Sequence, residues 1–418
     1  MKFAKRFFAL LLAFVMVLGL AACGSSDKKG DKASSEADKA NSQASQEDSK
    51  EASGDKKEDA TKGKTELGEN SLFLITDLGT IDDKSFNQNS FEGLKKFGKE
   101  IGVEAKYLKP AGEGDQNYEQ AIEQAIKRGA KIVVTPGFLF ELAVGNAQKK
   151  HPDVKFIAVD FEPKTVVEGK MDDKGNPVKE KDIQKNTVSV LFKEQESGFL
   201  AGYAAVKDGY KNLGFMGGVA VPAVIRYGFG FIAGANYAAE QLNEKVNINY
   251  NYTGKFTASP EIQTMAATWY KKGTEMIFGC GGGIYASILK AAQENNKFMI
   301  GVDGDQGDLG KEIVTSAMKN LSTAVYDVCK SINDGSFKGG DSLIFTIKEK
   351  GLQLSDDFSR FKTFKEDDYK KIYQDMIDNK DGITKKIPDI NFSLPEAEQG
   401  DPSKIMEQFK SVTLNYIQ

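Results

Sequence analysis

Three aspartates each close a short apolar run: Asp77 after residues 71–76, Asp160 after Phe156-Ile157-Ala158-Val159, and Asp303 after residues 299–302. A carboxylate at such a place is often a turn residue or a helix cap. Three at equivalent places also supply acceptors for the N–H and O–H groups of a small ligand, because open α/β sheets bind ligands outside the carboxyl ends of their strands. The segment Ser85-Phe86-Asn87-Gln88 fits a capping box, with Ser85 as N-cap and Gln88 at the third helical position. That box sets Phe86 and Asn87 in the first helical turn, at the same end of the sheet as Asp77. A ring there stacks on a flat ligand or packs into the core, and an amide offers both a donor and an acceptor. Phe256, in Tyr252-Thr253-Gly254-Lys255-Phe256 after a strand of the second half, is the natural opposing ring, with packing under the neighbouring helix as its other reading. The run Gly279-Cys280-Gly281-Gly282-Gly283 lets backbone approach a ligand or makes a tight strand-to-helix turn.

Other chemistries fall away. His151 is the only histidine of the 418 residues, so neither a Ser-His-Asp triad nor an H-E-x-x-H zinc site is expected. The glycine run is not G-x-G-x-x-G or a P-loop, and the stretch starting Asp303-Gly304-Asp305 fails the EF-hand pattern at its fifth and last positions. Lys and Arg number 56 against 60 Asp and Glu, with no basic patch, so nucleic acid is not an expected partner. Cys280 and Cys329 read as small buried hydrophobes.

These side chains need strands and helices to position them. Strand-like runs at residues 71–76, 131–135, 155–159, 213–216, 276–278 and 298–302 alternate with helical periodicities such as Phe91, Leu94, Phe97 and Ile101. This alternation predicts parallel sheets with helices on both faces, and a body of about 350 residues is too large for one core. The expected fold is α/β, two doubly wound lobes joined by a multi-strand hinge. We expect a first crossing at residues 186–195, a return at 303–315 and a third near 342–347. The corresponding boundaries are 67–190 with 305–340 for the N-terminal lobe, and 191–304 with 341–418 for the C-terminal lobe. Lobes joined by several strands rotate about them as rigid bodies.

The chain begins with Lys2, Lys5 and Arg6, then an apolar run over residues 7–20 that is short for a membrane span. Leu20-Ala21-Ala22-Cys23 resembles the bacterial lipobox, which implies a signal peptide over residues 1–22 and acylation of Cys23, with palmitate among the acyl groups. Residues 24–66 contain no Val, Ile, Leu, Met, Phe, Trp or Tyr, so residues 23–66 are predicted to form a disordered tether. The expected location is the extracytoplasmic face of the cell membrane, with the lipid bilayer holding the Cys23 anchor.

The block from Ile75 to Gln88, the 156–160 strand with its aspartate, Ile300-Gly301-Val302-Asp303 and the Gly217-Gly218 pair together resemble the basic membrane protein family, over residues 71 to about 345. Members are lipoprotein substrate-binding components of ABC transporters, and the purine nucleoside receptors among them are the most similar. The resemblance implies a type I periplasmic-binding-protein fold and a nucleoside ligand captured by lobe closure. Its partners would be a membrane permease and the separate ATPase that powers it. It implies that Phe86 and Phe256 sandwich the purine, with Asn87 and Asp160 near its polar edge. It also implies that Asp77, Asp303, Lys319 and the Gly282 backbone hold the ligand, the last three nearest the ribose. No enzymatic activity and no cofactor are expected, and the protein is read as a monomer. Residues 164–185 and the run Tyr227-Gly228-Phe229-Gly230-Phe231 depart from the family pattern. Two alternatives stand beside this reading. One is a sugar or signal-molecule receptor on the same fold; the other is a nucleoside hydrolase, whose D-x-D-P-G-x-D-D motif is matched only in part around Asp77, Asp82 and Asp83.

Overall fold

The computed structural model describes residues 65–418, apart from residue 173. The expected signal segment, Cys23 and nearly all of the expected tether lie outside the described residues. The first lobe opens with β1 (Leu72–Ile75), α1 (Phe86–Ile101), β2 (Ala105–Leu108), α2 (Asp115–Lys127), β3 (Ile132–Pro136), α3 (Glu141–Lys150) and β4 (Lys155–Val159). A ribbon of β5 (Lys164–Met171) and β6 (Pro177–Lys181) follows, then β7 (Thr187–Phe192). The second lobe runs through α4 (Glu194–Lys207), β8 (Asn212–Gly217), α5 (Pro222–Leu242), β9 (Val246–Tyr252), α6 (Pro260–Lys271) and β10 (Met276–Cys280). It continues with α7 (Tyr285–Asn295), β11 (Phe298–Asp303) and β12 (Ile313–Lys319). Beyond it come α8 (Leu321–Asp334), β13 (Asp341–Phe345), β14 (Leu352–Leu354), α9 (Glu366–Ile377) and β15 (Val412–Tyr416).

The first sheet has the order β13-β7-β4-β3-β1-β2 and is parallel throughout. The second has the order β14-β12-β11-β10-β8-β9-β15, with only β14 antiparallel. Both faces of each sheet are covered, which is why the central strands are largely apolar along their length. In β1, Leu72 and Leu74 pack with Phe97 of α1 and Val325 of α8, while Phe73 and Ile75 pack with Tyr118 and Phe140 on the opposite face. The α/β, two-lobed architecture expected from the alternation is therefore observed.

The return crossing is placed differently from the sequence reading. The chain leaves the first sheet at Lys193, as β7 gives way to α4. It returns at Asn320, between β12 in the second sheet and α8 against α1, and not at residues 303–315. The segment assigned to the N-terminal lobe as 305–340 thus contributes β12 to the second sheet. β13, within the segment assigned to the C-terminal lobe, pairs with β7 of the first. The cause is the link between β11 and β12, two parallel neighbours joined by a short segment with a single 3-10 turn and no α-helix, which breaks the strand-helix rhythm used to read the sequence. The three crossing segments are stitched side by side. The Lys193 amide donates to the Phe345 carbonyl at 3.0 Å, and the Asn320 amide to the Gly351 carbonyl at 2.9 Å.

Residues 164–185 form the β5–β6 ribbon, tied to the first lobe by Lys164–Glu141 at 2.9 Å and Lys149–Asp182 at 2.5 Å. The Tyr227–Phe231 run lies within α5, whose glycines pack backbone to backbone against α4. A Cβ at Gly198 would come within 2.2 Å of the Tyr227 carbonyl, and one at Gly230 within 2.0 Å of the Gln195 carbonyl.

Candidate functional site

Four strand ends converge on the cleft between the lobes. Asp77 lies just past β1 and Asp160 just past β4, both in the first lobe. Asp303 and Lys319 are the last residues of β11 and β12 in the second lobe. Asp160 (φ 67°) and Asp303 (φ 65°) both take left-handed backbone conformations, uncommon for residues other than glycine and several-fold enriched in aspartate. These four line a single cavity together with Phe86, Asn87, Phe256 and Gly282, so all eight residues expected at the site are brought together. The cavity volume is about 60 Å³. It is a narrow slot between the lobes.

Local chemistry fixes each wall. The expected capping box is replaced by a different cap. Asp83 accepts from the backbone amides of Ser85, Asn87 and Gln88 at 2.9, 2.9 and 3.1 Å, closing the N-terminus of α1. Ser85 is thereby released, and its hydroxyl donates across the cleft to Asp303 Oδ2 at 2.5 Å. Gln88 turns back to accept from the Lys84 amide at 3.1 Å. Asn87 is committed inside the protein as well. Its Nδ2 donates to Asp77 Oδ1 at 2.7 Å and to Asp83 Oδ2 at 2.9 Å, while its Oδ1 accepts from the Asp77 amide at 3.1 Å. Both amide hydrogens are spent, so in this structure Asn87 orients Asp77 and has no donor left for a ligand. Phe256 lies against a floor of glycines. A Cβ at Gly218 would reach 2.5 Å from its ring, and one at Gly281 3.1 Å. The glycine run therefore seats an aromatic ring.

Lys319 is the electrostatic centre. Its ammonium pairs with Asp160, lies 3.4 Å from Glu194 and 3.7 Å from Asp303, and sits 4.6 Å from the centre of the Phe86 ring. Burial works against its charge, but the three carboxylates outweigh that, and its pKa lies above the ordinary lysine range. The acids respond to the same burial. Asp160 is pushed up to about 7, with Lys319 opposing the shift, and Asp77 to about 6, with Asn87 opposing it. Asp303 is likewise raised by burial, against Lys319 and Ser85. The shifts of acid and base coexist because one ammonium serves three carboxylates. Asp160 Oδ1 remains buried without a hydrogen-bond partner among the described residues, an acceptor left over for a ligand donor.

Glu194 was missed in the sequence. An acid in the first turn of α4 reads as a partner of the helix dipole, and nothing local reveals that it reaches Lys319. Its other oxygen lies 3.4 Å from Arg226 of α5, whose Nε donates to Asp389 at 2.9 Å. Ser85 was legible only as a cap. Cys280 also lines the cavity; both it and Cys329 are buried and unpaired with one another.

Two α/β lobes, a stitched hinge and a narrow slot between strand ends define the two-lobed type I binding-protein fold. Solved structures agree. An ABC transporter solute-binding protein from Aeropyrum pernix K1 superposes with a TM-score of 0.66 at 22% identity, over 81% of this chain and 97% of that one. A solute-binding protein of an ABC transporter system from Conexibacter woesei gives 0.56 at 19% identity, over 75% and 96%. The profile of the Bmp family, described as ABC transporter substrate-binding protein PnrA-like, matches residues 71–388, and the chain belongs to that family. Among its relatives is the ABC transporter nucleoside-binding protein BmpA of Lactococcus lactis, 28% identical over 346 residues, 78% of this chain and 91% of that one. Another is a CD4+ T-cell-stimulating antigen of Listeria innocua, 28% identical over 398 residues, 88% and 96%. The protein is thus a substrate-binding component of an ABC transporter, a binder and not an enzyme.

Proposed function

We propose that this protein captures purine nucleosides outside the cytoplasm and delivers them to its permease, held at the membrane through a lipid on Cys23. The observation that carries the proposal is the composition of one slot: Phe86 and Phe256, three buried aspartates and a buried lysine, drawn from both lobes. A planar base suits the rings, while carboxylates that accept and an ammonium that donates suit a vicinal diol. The name of the Lactococcus lactis relative supports the same class of ligand. Phe86, Phe256 and Asp160 then serve the base, and Asp303, Lys319 and the Gly282 backbone the ribose. Asn87 acts by holding Asp77 in place. Closure follows because the ligand touches both lobes and favours the state in which both can reach it. The lobe contents follow the sheets: residues 67–192 with 321–345 form one lobe, and 194–319 with 352–418 the other. The protein acts as a monomer.

Calorimetry of the purified chain against inosine, guanosine, adenosine, ribose, glucose and galactose tests the reading, after unfolding and refolding to strip any ligand carried through purification. Binding of nucleosides with no response to the sugars is expected. Binding of the sugars alone would overturn it. Mass spectrometry of acylated peptides from the membrane fraction tests the lipid on Cys23.

A further inference from the structure

Tyr227 lines the cavity, is 1% exposed, and its hydroxyl has no hydrogen-bond partner among the described residues. A buried hydroxyl left unpaired is disfavoured, and in a ligand slot the partner it lacks is one the ligand brings. The ring is not free to turn away. Phe278 meets it edge-on with ring centres 5.9 Å apart, and α4 presses on its backbone through Gly198. Its surroundings identify the end of the slot it serves. The Lys319 ammonium is 5.8 Å from the ring centre, and the Asp303 and Cys280 side chains lie close by. Around it, Asp303 Oδ2 is taken by Ser85, and Lys319 is held by Asp160, Glu194 and Asp303.

We infer that Tyr227 is a specificity-determining residue: its hydroxyl bonds a hydroxyl of the ligand sugar, so that the site selects ribonucleosides over an analogue lacking that one group. This rests on the nucleoside reading and adds a contact at its sugar end. A phenol both donates and accepts, so it completes the hydrogen bonding of a sugar hydroxyl already engaged by a carboxylate or an ammonium. Tyr118 and Tyr210 also carry unpartnered buried hydroxyls, but neither lines the slot. Tyr210→Phe therefore serves as a control for the loss of a buried phenol elsewhere.

The experiment is calorimetry of the full chain, wild type, Tyr227→Phe and Tyr210→Phe, against inosine and its 2′-deoxy, 3′-deoxy and 5′-deoxy forms. In the wild type at least one deoxy form is expected to bind more weakly than inosine. In Tyr227→Phe inosine weakens by roughly three- to tenfold, and the penalty for one deoxy form disappears, because the missing hydroxyl no longer leaves a phenol unpaired. Tyr210→Phe keeps every ratio. A wild type that binds nucleosides while Tyr227→Phe preserves all the ratios overturns the role of Tyr227 alone. A wild type that ignores every nucleoside overturns the nucleoside reading, and this assignment with it.

Discussion

The cavity's aspartates hold their protons more firmly in the folded chain than in the unfolded one. Burial raises Asp77 to about 6 and Asp160 to about 7, while an exposed aspartate titrates near 3.8. Between that value and the raised one the folded state carries the extra proton, so the stability these groups contribute is full at acid pH and is lost as pH rises toward 6 or 7. For Asp77 the swing is about 2 kcal/mol between pH 4 and 7. Urea unfolding of Asp77→Asn at the two pH values should therefore show a smaller difference than the wild type, by about that amount, and an unchanged difference would contradict it. At this scale the sequence was legible where a residue's type and its place after a strand agree, as for Asp77, Asp160 and Asp303. Glu194 and Asp83 were hidden because their partners lie elsewhere in space or differ from the local rule. A Ser at an N-cap position reads as the cap, yet a carboxylate two residues earlier satisfies three amides at once.

The glycine-spaced run from Tyr227 to Phe231 becomes intelligible in α5. Small residues on α4 and α5 bring two helix backbones into contact, and that contact sets the position of the helix turn that faces the slot. Gly198→Val inserts a side chain where a carbonyl lies 2.2 Å from the first added atom, and the carbonyl has no room to yield. A loss of about 1–3 kcal/mol in chemical unfolding is expected. Gly112→Ala, where the nearest atom stands at 3.5 Å, should stay within about 0.5 kcal/mol of the wild type. Equal losses for the two would undo this account of the helix pair. The central strands of both sheets were legible because burial on both faces demands unbroken apolar runs. β12 was assigned to the wrong lobe, since a parallel neighbour reached by a short link without an α-helix gives no periodic signal.

Across the whole molecule, the lobes touch at the cleft through few polar ties. Ser85 bonds Asp303, Gln306 Nε2 donates to the Lys84 carbonyl at 3.1 Å, and Lys319 pairs with Asp160. The first two lie away from the hinge and are worth about 2–4 kcal/mol together, enough to set the balance between open and closed forms. The double variant Ser85→Ala, Gln306→Ala should show a larger radius of gyration by small-angle scattering when free of ligand. Saturating nucleoside should return it toward the wild-type value. A radius that matches the wild type without ligand would mean that these ties do not govern closure.

The chain's route through its two sheets also bears on the order in which it can be finished. The first sheet lacks an edge until residues 341–345 arrive, and the second until residues 412–416 do. A polypeptide synthesised or threaded through a pore from its amino end therefore cannot complete either half until most of its length has emerged. Such interleaving makes residues 412–416 the ones that seal the outer edge of the second sheet.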